Sequence, residues 1–418
     1  MLVSKPLRPV RFAGKMSSST RVLQCNPASV SFRLPNEQPD VVCQNTMQAL
    51  QEASHHLLHL LQPVAFPTET VYGLGAIALD ASAASRIFSV KGRPPDNPLI
   101  VHISSFAMLH TILPKGYKLS KPYQVLTKHF WPGALTLLFP NNPDLIPPII
   151  TANQSTVAIR MPSHPIARAL IAMVNVPIAA PSANSSGKPS PTQSTHVLRD
   201  LGGKIGLILD GGPCVVGLES TVIDGLNKDG NIRILRPGGV TVEDIERVLR
   251  EDMQDCECIP KVFVHQRDYR DEVMEQAPTT PGMKYRHYSP TVPVILLSAS
   301  QTPHSGTSVS SASSLLSLLK NRVIKASQPI KVGLLTTTDS SLVEQLLPIE
   351  NIIWNHRALG FASEPWSIAH NLFDGFLTLE DEGVDLILIE EVKEDMEGLA
   401  VMNRVRKAAT ECIWIDFH

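Results

Sequence analysis

No apolar run in these 418 residues reaches the roughly 18 consecutive positions that a membrane-crossing helix needs, so nothing in the sequence points to a membrane. Cysteine is sparse: of six, only Cys256 and Cys258 are close, and C-x-C is not the spacing of a zinc knuckle. That leaves no readable disulfide framework or metal site, and reduced thiols in an intracellular protein are the expectation. Charge of either sign is not in excess. A net charge of −2 argues against a general nucleic-acid or membrane-surface binder, while leaving room for local basic patches. There is no G-x-x-x-x-G-K-[ST] phosphate loop and no kinase signature, so any nucleotide site is of another kind. One local absence is informative in itself. Between Met1 and Asn36 there is no Asp or Glu, but Lys5, Arg8, Arg11, Lys15, Arg21 and Arg33 are present, with Ser17 to Thr20 adding hydroxyls. That composition fits a mitochondrial transit peptide or a disordered basic tail, and Met16 offers a second start.

An apolar fraction of 43% is enough for real cores, and the length suggests two or three domains. After a basic tail over 1–43, residues 44–250 alternate helical and strand-like runs. A helix over 44–62 is followed by the buried strand of "PVAFPTETVYGLGA". A second helix, "DASAASRIFSVKG", is N-capped by Asp80. "LIVHI", "LTLLF", "TVAIRM", "PIAA", "GLILDG", "STVIDG" and "IRILRPGG" read as strands, and "TVEDIERVLRE" as a closing helix with Thr241 and Asp244 in an acidic capping box. Residues 251–291 are polar and weakly periodic, the pattern of a linker. From 292 to 418, "VPVILLS", "KVGLLTT" and "VDLILIE" are continuous apolar strands, with "NIIW" as a fourth. Helices over 315–324, 363–379 and 399–409 lie between them. This pattern predicts a smaller Rossmann-like domain with a parallel sheet covered on both faces. A Ser/Thr-rich stretch after its first strand reads as a mobile loop, and the absence of G-x-G-x-x-G argues against a dinucleotide there.

The polar clusters of the first domain fall at strand ends and loops, where α/β folds place their sites. They are Thr68, Glu69, Thr70 and Tyr72, then Lys91, Arg93, Asn97 and His102 around Pro94, Pro95 and Pro98. Thr156 and Arg160, "APSANSSGKPSPT", "LESTV" and "LRPGG" complete the set. Hydroxyls, backbone N–H groups and guanidinium forks are what phosphate oxygens require. Each cluster has a plain structural alternative. Lys91 and Arg93 at a helix end would offset the helix dipole. His102 in an apolar strand would be a core histidine. The Ser/Asn/Pro run would be a stiff loop, and Arg236 a turn cap.

Taken in order, "FPTETVYGLGA", "KGRPPDNPLIVHI", "WPGALTLLF", "VAIRMPSHP", "APSANSSGKPSPT", "LESTVID" and "ILRPGG" closely resemble the YrdC-like domain of the threonylcarbamoyl-AMP synthases. "PGMKYRHYSP" followed by an α/β domain resembles the long two-domain branch of that family, so the resemblance runs from about residue 44 to the end. It implies a YrdC-like twisted-sheet catalytic domain and a smaller Rossmann-like parallel α/β domain joined by a lid-like linker. It also implies synthesis of L-threonylcarbamoyladenylate from L-threonine, bicarbonate and ATP, with Mg2+ bound mainly through the ATP phosphates. The product would pass to a downstream tRNA threonylcarbamoyl-transferase complex for modification of adenosine beside the anticodon, with a weak contact to tRNA itself. The carry-over places Arg93, Asn97, Thr156, Ser182, Ser190, Arg236 and Tyr288 on ATP. It places Thr70, His102, Arg160, Ala180 and Ser220 on L-threonine, and Lys91 with Arg93 at the reacting phosphates. No metal ligand is assigned to the protein. The rival of another class is a non-catalytic RNA-binding module, against which the near-zero net charge and the lack of interleaved aromatic and basic residues both weigh. A carbamoyltransferase of the hydrogenase-maturation type is a further rival, but the paired C-x-x-C segments of that class are missing. The expected location is the cytoplasm, with the basic N-terminus as a mitochondrial address.

Overall fold

A computed structural model describes residues 19–33, 38–256, 258–265, 267–269, 287–298, 308–309, 319, 329–348, 350 and 352–414. Two large sheets organise them, beside a separate two-stranded one. The first has eleven strands with mixed pairing, and its middle is built from short antiparallel and parallel contacts around Gly73–Ile77, Ile178–Ala179, Val101–His102 and Thr156–Arg160. The second has six strands, every neighbouring pair of which runs parallel: Ser308–Val309, Glu411–Trp414, Val294–Ser298, Leu386–Glu390, Ile330–Thr336 and Ile352–Ala358, in that spatial order. The continuous apolar runs predict this second sheet, because a strand covered on both faces has no reason to alternate.

The local signals behave as their chemistry dictates. Asp80 caps the helix Ala81–Lys91 by accepting from the Ala83 N–H at 2.8 Å. Gly92 ends it in the left-handed region at φ 61°. That turn throws the chain into the proline-stiffened loop and leaves Lys91 and Arg93 on its inner side. Thr241 caps the helix Val242–Asp252, accepting from Asp244 N at 3.1 Å. Here Asp244 completes only half a capping box, since its carboxylate accepts from the Thr241 hydroxyl at 3.0 Å.

Three expectations need correction. The span 1–43 is not all tail. Arg21–Gln24 is a strand paired in parallel with Leu207–Asp210, and Val30–Arg33 pairs with Gln38–Val41. An edge strand has one neighbour and tolerates charged side chains, so a basic composition does not exclude it. Val22, Leu23 and Phe32 pack against the main core, and the Arg168 guanidinium sits 4.1 Å from the Phe32 ring centre. The span 251–291 is not all linker either, because Val262–Val264 adds an edge strand beside Ile232–Ile234. The Ser/Thr-rich stretch likewise gives Ser308–Val309 to the second sheet. The helix expected over 315–324, apart from Leu319, and most of "TTPGMKYRHYSP" lie outside the described residues.

The two lobes touch directly. Arg199 donates to the Leu377 carbonyl at 3.0 Å and pairs with Glu380 and Asp381. Gln193 donates to Asp374 at 2.7 Å. Gly217, at φ 80°, lies so close to His370 that a Cβ there would come within 2.4 Å of its carbonyl oxygen. A hydrophobic cluster crosses the junction, joining Val71, Leu218 and Tyr288 to Phe373, Phe376 and Ala400.

Candidate active site

One cavity at the centre of the first sheet is lined by Thr70, Val71, Arg93, Ile100, His102, Arg160, Ala180, Pro181, Ser182, Glu219, Ser220, Arg236, His287 and Tyr288. The short strands explain its position. Pairings around Val101–His102 stop after two residues, and the chain ends they release turn into the same space.

Arg160 is the most tightly held of the cations. Its Nη2 pairs with Glu69 Oε1 at 2.5 Å, its Nη1 donates to Thr70 Oγ1 at 2.8 Å, and its Nε donates to the Gly133 carbonyl at 3.0 Å. Arg93 is held by the backbone, with Nε donating to the Asn97 carbonyl at 3.2 Å and Nη2 to the Pro98 carbonyl at 2.9 Å. The prolines therefore fix the carbonyls that aim the guanidinium. Arg236 donates to the Ser220 carbonyl at 2.8 Å, and the Ser220 and Thr136 hydroxyls are hydrogen-bonded to each other at 2.7 Å. Lys91 does not cap its own helix. Its ammonium donates to the carbonyls of Ser182 and Asn184, so it buttresses the Ser/Asn/Pro loop from behind. That loop returns Ser190, whose hydroxyl donates to Glu219 Oε1 at 2.5 Å.

Burial sets the charge states. Desolvation pulls the Arg93 guanidinium down to about 9. It lowers Arg236 as well, and holds Lys91 well below the ordinary lysine value, with Arg93 adding repulsion there. Burial is also the first cause at His102, with the Arg160 charge second, and together they leave the imidazole at about 3 and neutral. The same pair of effects, burial and then Arg93, puts His287 at about 3. Glu219 goes the other way. Burial pushes it up, but Arg404 and then Arg236 more than offset that, and the carboxyl stays below its usual range. Among the lining residues Glu219 is the one acid facing three arginines. The cavity is thus built for anionic ligands.

Most of the residues singled out in the sequence come together here. Thr70, Arg93, His102, Arg160, Ala180, Ser182, Ser220, Arg236 and Tyr288 line the cavity, while Lys91, Asn97 and Ser190 stand directly behind lining groups. Thr156 does not join them. It starts the strand that ends in Arg160, about 13 Å away at the usual rise per residue, and its buried hydroxyl has no hydrogen-bond partner. His102 is not merely a core histidine, although its Nδ1 does meet the Ile100 carbonyl at 3.2 Å. Missed from the sequence were Glu69 and Glu219 as arginine partners and His287 as a lining group. Glu219 sits inside the quoted "LESTV", where a carboxylate beside phosphate chemistry was the available signal.

Comparisons with known proteins agree with this geometry. Residues 57–238 match the family grouping Sua5, YciO and YrdC proteins, described as "Telomere recombination", and residues 240–410 match "Threonylcarbamoyl-AMP synthase, C-terminal domain". A threonylcarbamoyl-AMP synthase of Schizosaccharomyces pombe is 42% identical over 386 residues, covering 87% of this chain and 89% of its own length. One of Bacillus subtilis is 39% identical over 371 residues, covering 88% and 95%. The crystal structure of P. abyssi Sua5 complexed with L-threonine superposes with a TM-score of 0.72 at 36% identity, covering 95% of this chain and all of that one. With both lobes matched in order and the arginine-lined cavity in place, the chain belongs to the threonylcarbamoyl-AMP synthase family.

Proposed function

We propose that this cavity holds L-threonine and ATP side by side and that the chain makes L-threonylcarbamoyladenylate and pyrophosphate from L-threonine, bicarbonate and ATP. The observation that carries the assignment of the two substrates is the convergence of Arg93, Arg160 and Arg236 on one buried space. Two anionic substrates need that many cations, and a packed core does not.

Arg160 takes the threonine carboxylate. Three of its five N–H groups are used by Glu69, Thr70 and Gly133, which leaves two for a substrate. Thr70, His102, Ala180 and Ser220 surround the amino acid. His102, being neutral, orients it by hydrogen bonding without adding charge. Arg93, Asn97, Ser182, Ser190 and Arg236 hold ATP, and Lys91 contributes field from behind the Ser182 loop.

Threonine's amine and bicarbonate give an N-carboxylate with loss of water. One of its oxygens bonds to the α-phosphorus while the bond to the β-phosphate oxygen breaks, and pyrophosphate leaves with that electron pair. No protein nucleophile is required. The arginines position two anions and stabilise the charge that builds on the phosphorus oxygens. Mg2+ fits as a guest of the ATP phosphates. Among the described residues no group of three or more His, Cys, Asp or Glu gathers, and Glu69 and Glu219 are occupied by arginines. When bound it neutralises phosphate charge.

The linker acts as a lid. Ser289 N donates to the Gly187 carbonyl at 2.8 Å, which ties the linker to the Ser/Asn/Pro loop, and Tyr288 is held at φ 65° against Phe373. Closing over the nucleotide would keep water from a labile mixed anhydride. The product passes to a tRNA threonylcarbamoyl-transferase complex, with a weak tRNA contact at delivery. The chain works in the cytoplasm and, through its basic N-terminus, in mitochondria. No helix among the described residues is long and apolar enough to cross a membrane.

The test is ATP–pyrophosphate turnover in the purified chain with no RNA present. Pyrophosphate release should need both L-threonine and bicarbonate. Release that ignores threonine or requires RNA would overturn the reading, and no release under any of these conditions would favour the non-catalytic RNA-binding module.

A further inference from the structure

One of the largest fully buried side chains near the cavity comes from the other lobe. Arg404, on the helix Gly398–Ala408, has no exposed side-chain surface. Its Nε and Nη2 both reach Glu219 Oε2, at 3.1 and 3.0 Å. Its Nη1 donates to the Pro237 carbonyl, directly after Arg236, and to Ala400 O at 3.3 Å. The guanidinium lies 5.6 Å from the centre of the Tyr288 ring. The other oxygen of the same carboxylate, Glu219 Oε1, accepts from Ser190 at 2.5 Å. One residue of the second lobe therefore touches the partners of three groups on the ATP side: Ser190 through Glu219, Arg236 through Pro237, and Tyr288 through its ring.

We infer that Arg404 is a positioning residue for nucleotide binding, supplied by the C-terminal lobe, which holds the Glu219 carboxylate so that Ser190 is aimed and Arg236 and Arg93 stay available to phosphate oxygens. The inference rests on the ATP reading of the cavity given above. The physical reason is charge. Glu219 is the one acid among the lining residues, and an anion in a phosphate site repels the ligand unless a cation is committed to it. Of the arginines in contact with that carboxylate region, Arg404 is the one that does not line the cavity. Arg404 is the first of the two charges that balance Glu219 and Arg236 only the second, so Arg236 is not the carboxylate's main counter-charge. Arg404 Nε and Nη2 both meet the one oxygen Oε2, which anchors that end of the carboxylate and leaves Oε1 to receive the Ser190 hydroxyl. The second lobe thereby becomes part of the binding machinery: undocking it would leave a buried carboxylate unpaired in the nucleotide site.

The test uses the full-length chain and two probes, ATP alone and L-threonine alone, with dissociation constants from calorimetry alongside pyrophosphate turnover. Arg404→Met should raise the Kd for ATP at least tenfold and change that for L-threonine less than threefold. Arg404→Lys keeps the charge but loses the fork, and should fall between. Adding Glu219→Gln to Arg404→Met removes the stranded charge, and should recover ATP affinity at least threefold over the single variant. If Arg404→Met does not fold, Arg404→Lys with and without Glu219→Gln carries the same comparison. Unchanged ATP affinity in a folded Arg404 variant overturns the inference. So do equal losses for both ligands that follow the drop in melting temperature and are not relieved by Glu219→Gln, because those describe a merely structural contact. A wild-type chain that neither binds ATP nor releases pyrophosphate sinks the functional reading itself, whereas an active wild type with an indifferent Arg404→Met sinks only this inference.

Discussion

Arg160 and Glu69 form a buried ion pair, 2.5 Å between Nη2 and Oε1, in which the carboxylate's other oxygen accepts from the Ser163 N–H at 3.1 Å. The pair fixes the guanidinium plane, so the direction of its remaining donors is set before any ligand arrives. Arg160→Lys keeps one charge but cannot satisfy Glu69, Thr70 and Gly133 and still offer two parallel donors. The expected result is a KM for L-threonine raised about tenfold or more and a KM for ATP changed less than threefold. Equal shifts in both, from initial rates with each substrate limiting, would count against the carboxylate contact.

Arg93 is aimed by hydrogen bonds to two backbone carbonyls, which leaves donors of its guanidinium for a phosphate. Arg93→Ala should lower turnover at limiting ATP by roughly 10- to 100-fold, the loss of a charge-assisted contact worth about 1.5–3 kcal/mol. Circular dichroism should show the fold retained. Wild-type turnover at limiting ATP would exclude Arg93 from the nucleotide site.

Tyr288 is pinned between Phe373, Arg404 and the cavity. Tyr288→Ala should cut product yield several-fold and raise the share of AMP formed by hydrolysis of the adenylate, since the lid then admits water. Chromatography of AMP against threonylcarbamoyl-AMP reads this directly. An unchanged ratio would reduce the segment to a tether.

His102 and His287 give the fold an acid limit. Burial holds both near 3 when folded, against an ordinary value near 6.5. Below 6.5 the unfolded chain takes up protons that the folded chain refuses. Stability is therefore full above that value and falls as pH drops towards 3, by up to about 1.4 kcal/mol per pH unit for each group. The melting temperature should fall between pH 6.5 and 4.5, and His102→Asn should flatten that slope by about one proton. A slope identical to wild type would mean that His102 is protonated in the fold.

Much of this protein is legible without coordinates. The caps at Asp80 and Thr241 are local hydrogen-bond chemistry, and the second sheet follows from runs such as "VILLS" and "LILIE" that are apolar throughout. The cavity residues were readable because phosphate and carboxylate chemistry requires Arg, Lys, Ser and Thr in stiff loops, which leaves short, dense motifs in the chain. Other features depended on pairing across long separations. Arg21–Gln24 becomes a strand only because Leu207–Asp210 offers an edge 186 positions away. Thr156 shares a motif with Arg160, but the rise of the strand between them leaves it off the lining of the cavity. Arg404 sits 185 residues from Glu219, in a helix whose sequence reads as ordinary amphipathic packing, and no local pattern marks it. A hydrogen bond within a turn is encoded by neighbours. A buried counter-charge is chosen by whichever side chain the tertiary fold brings within 3 Å, and there only the structure decides.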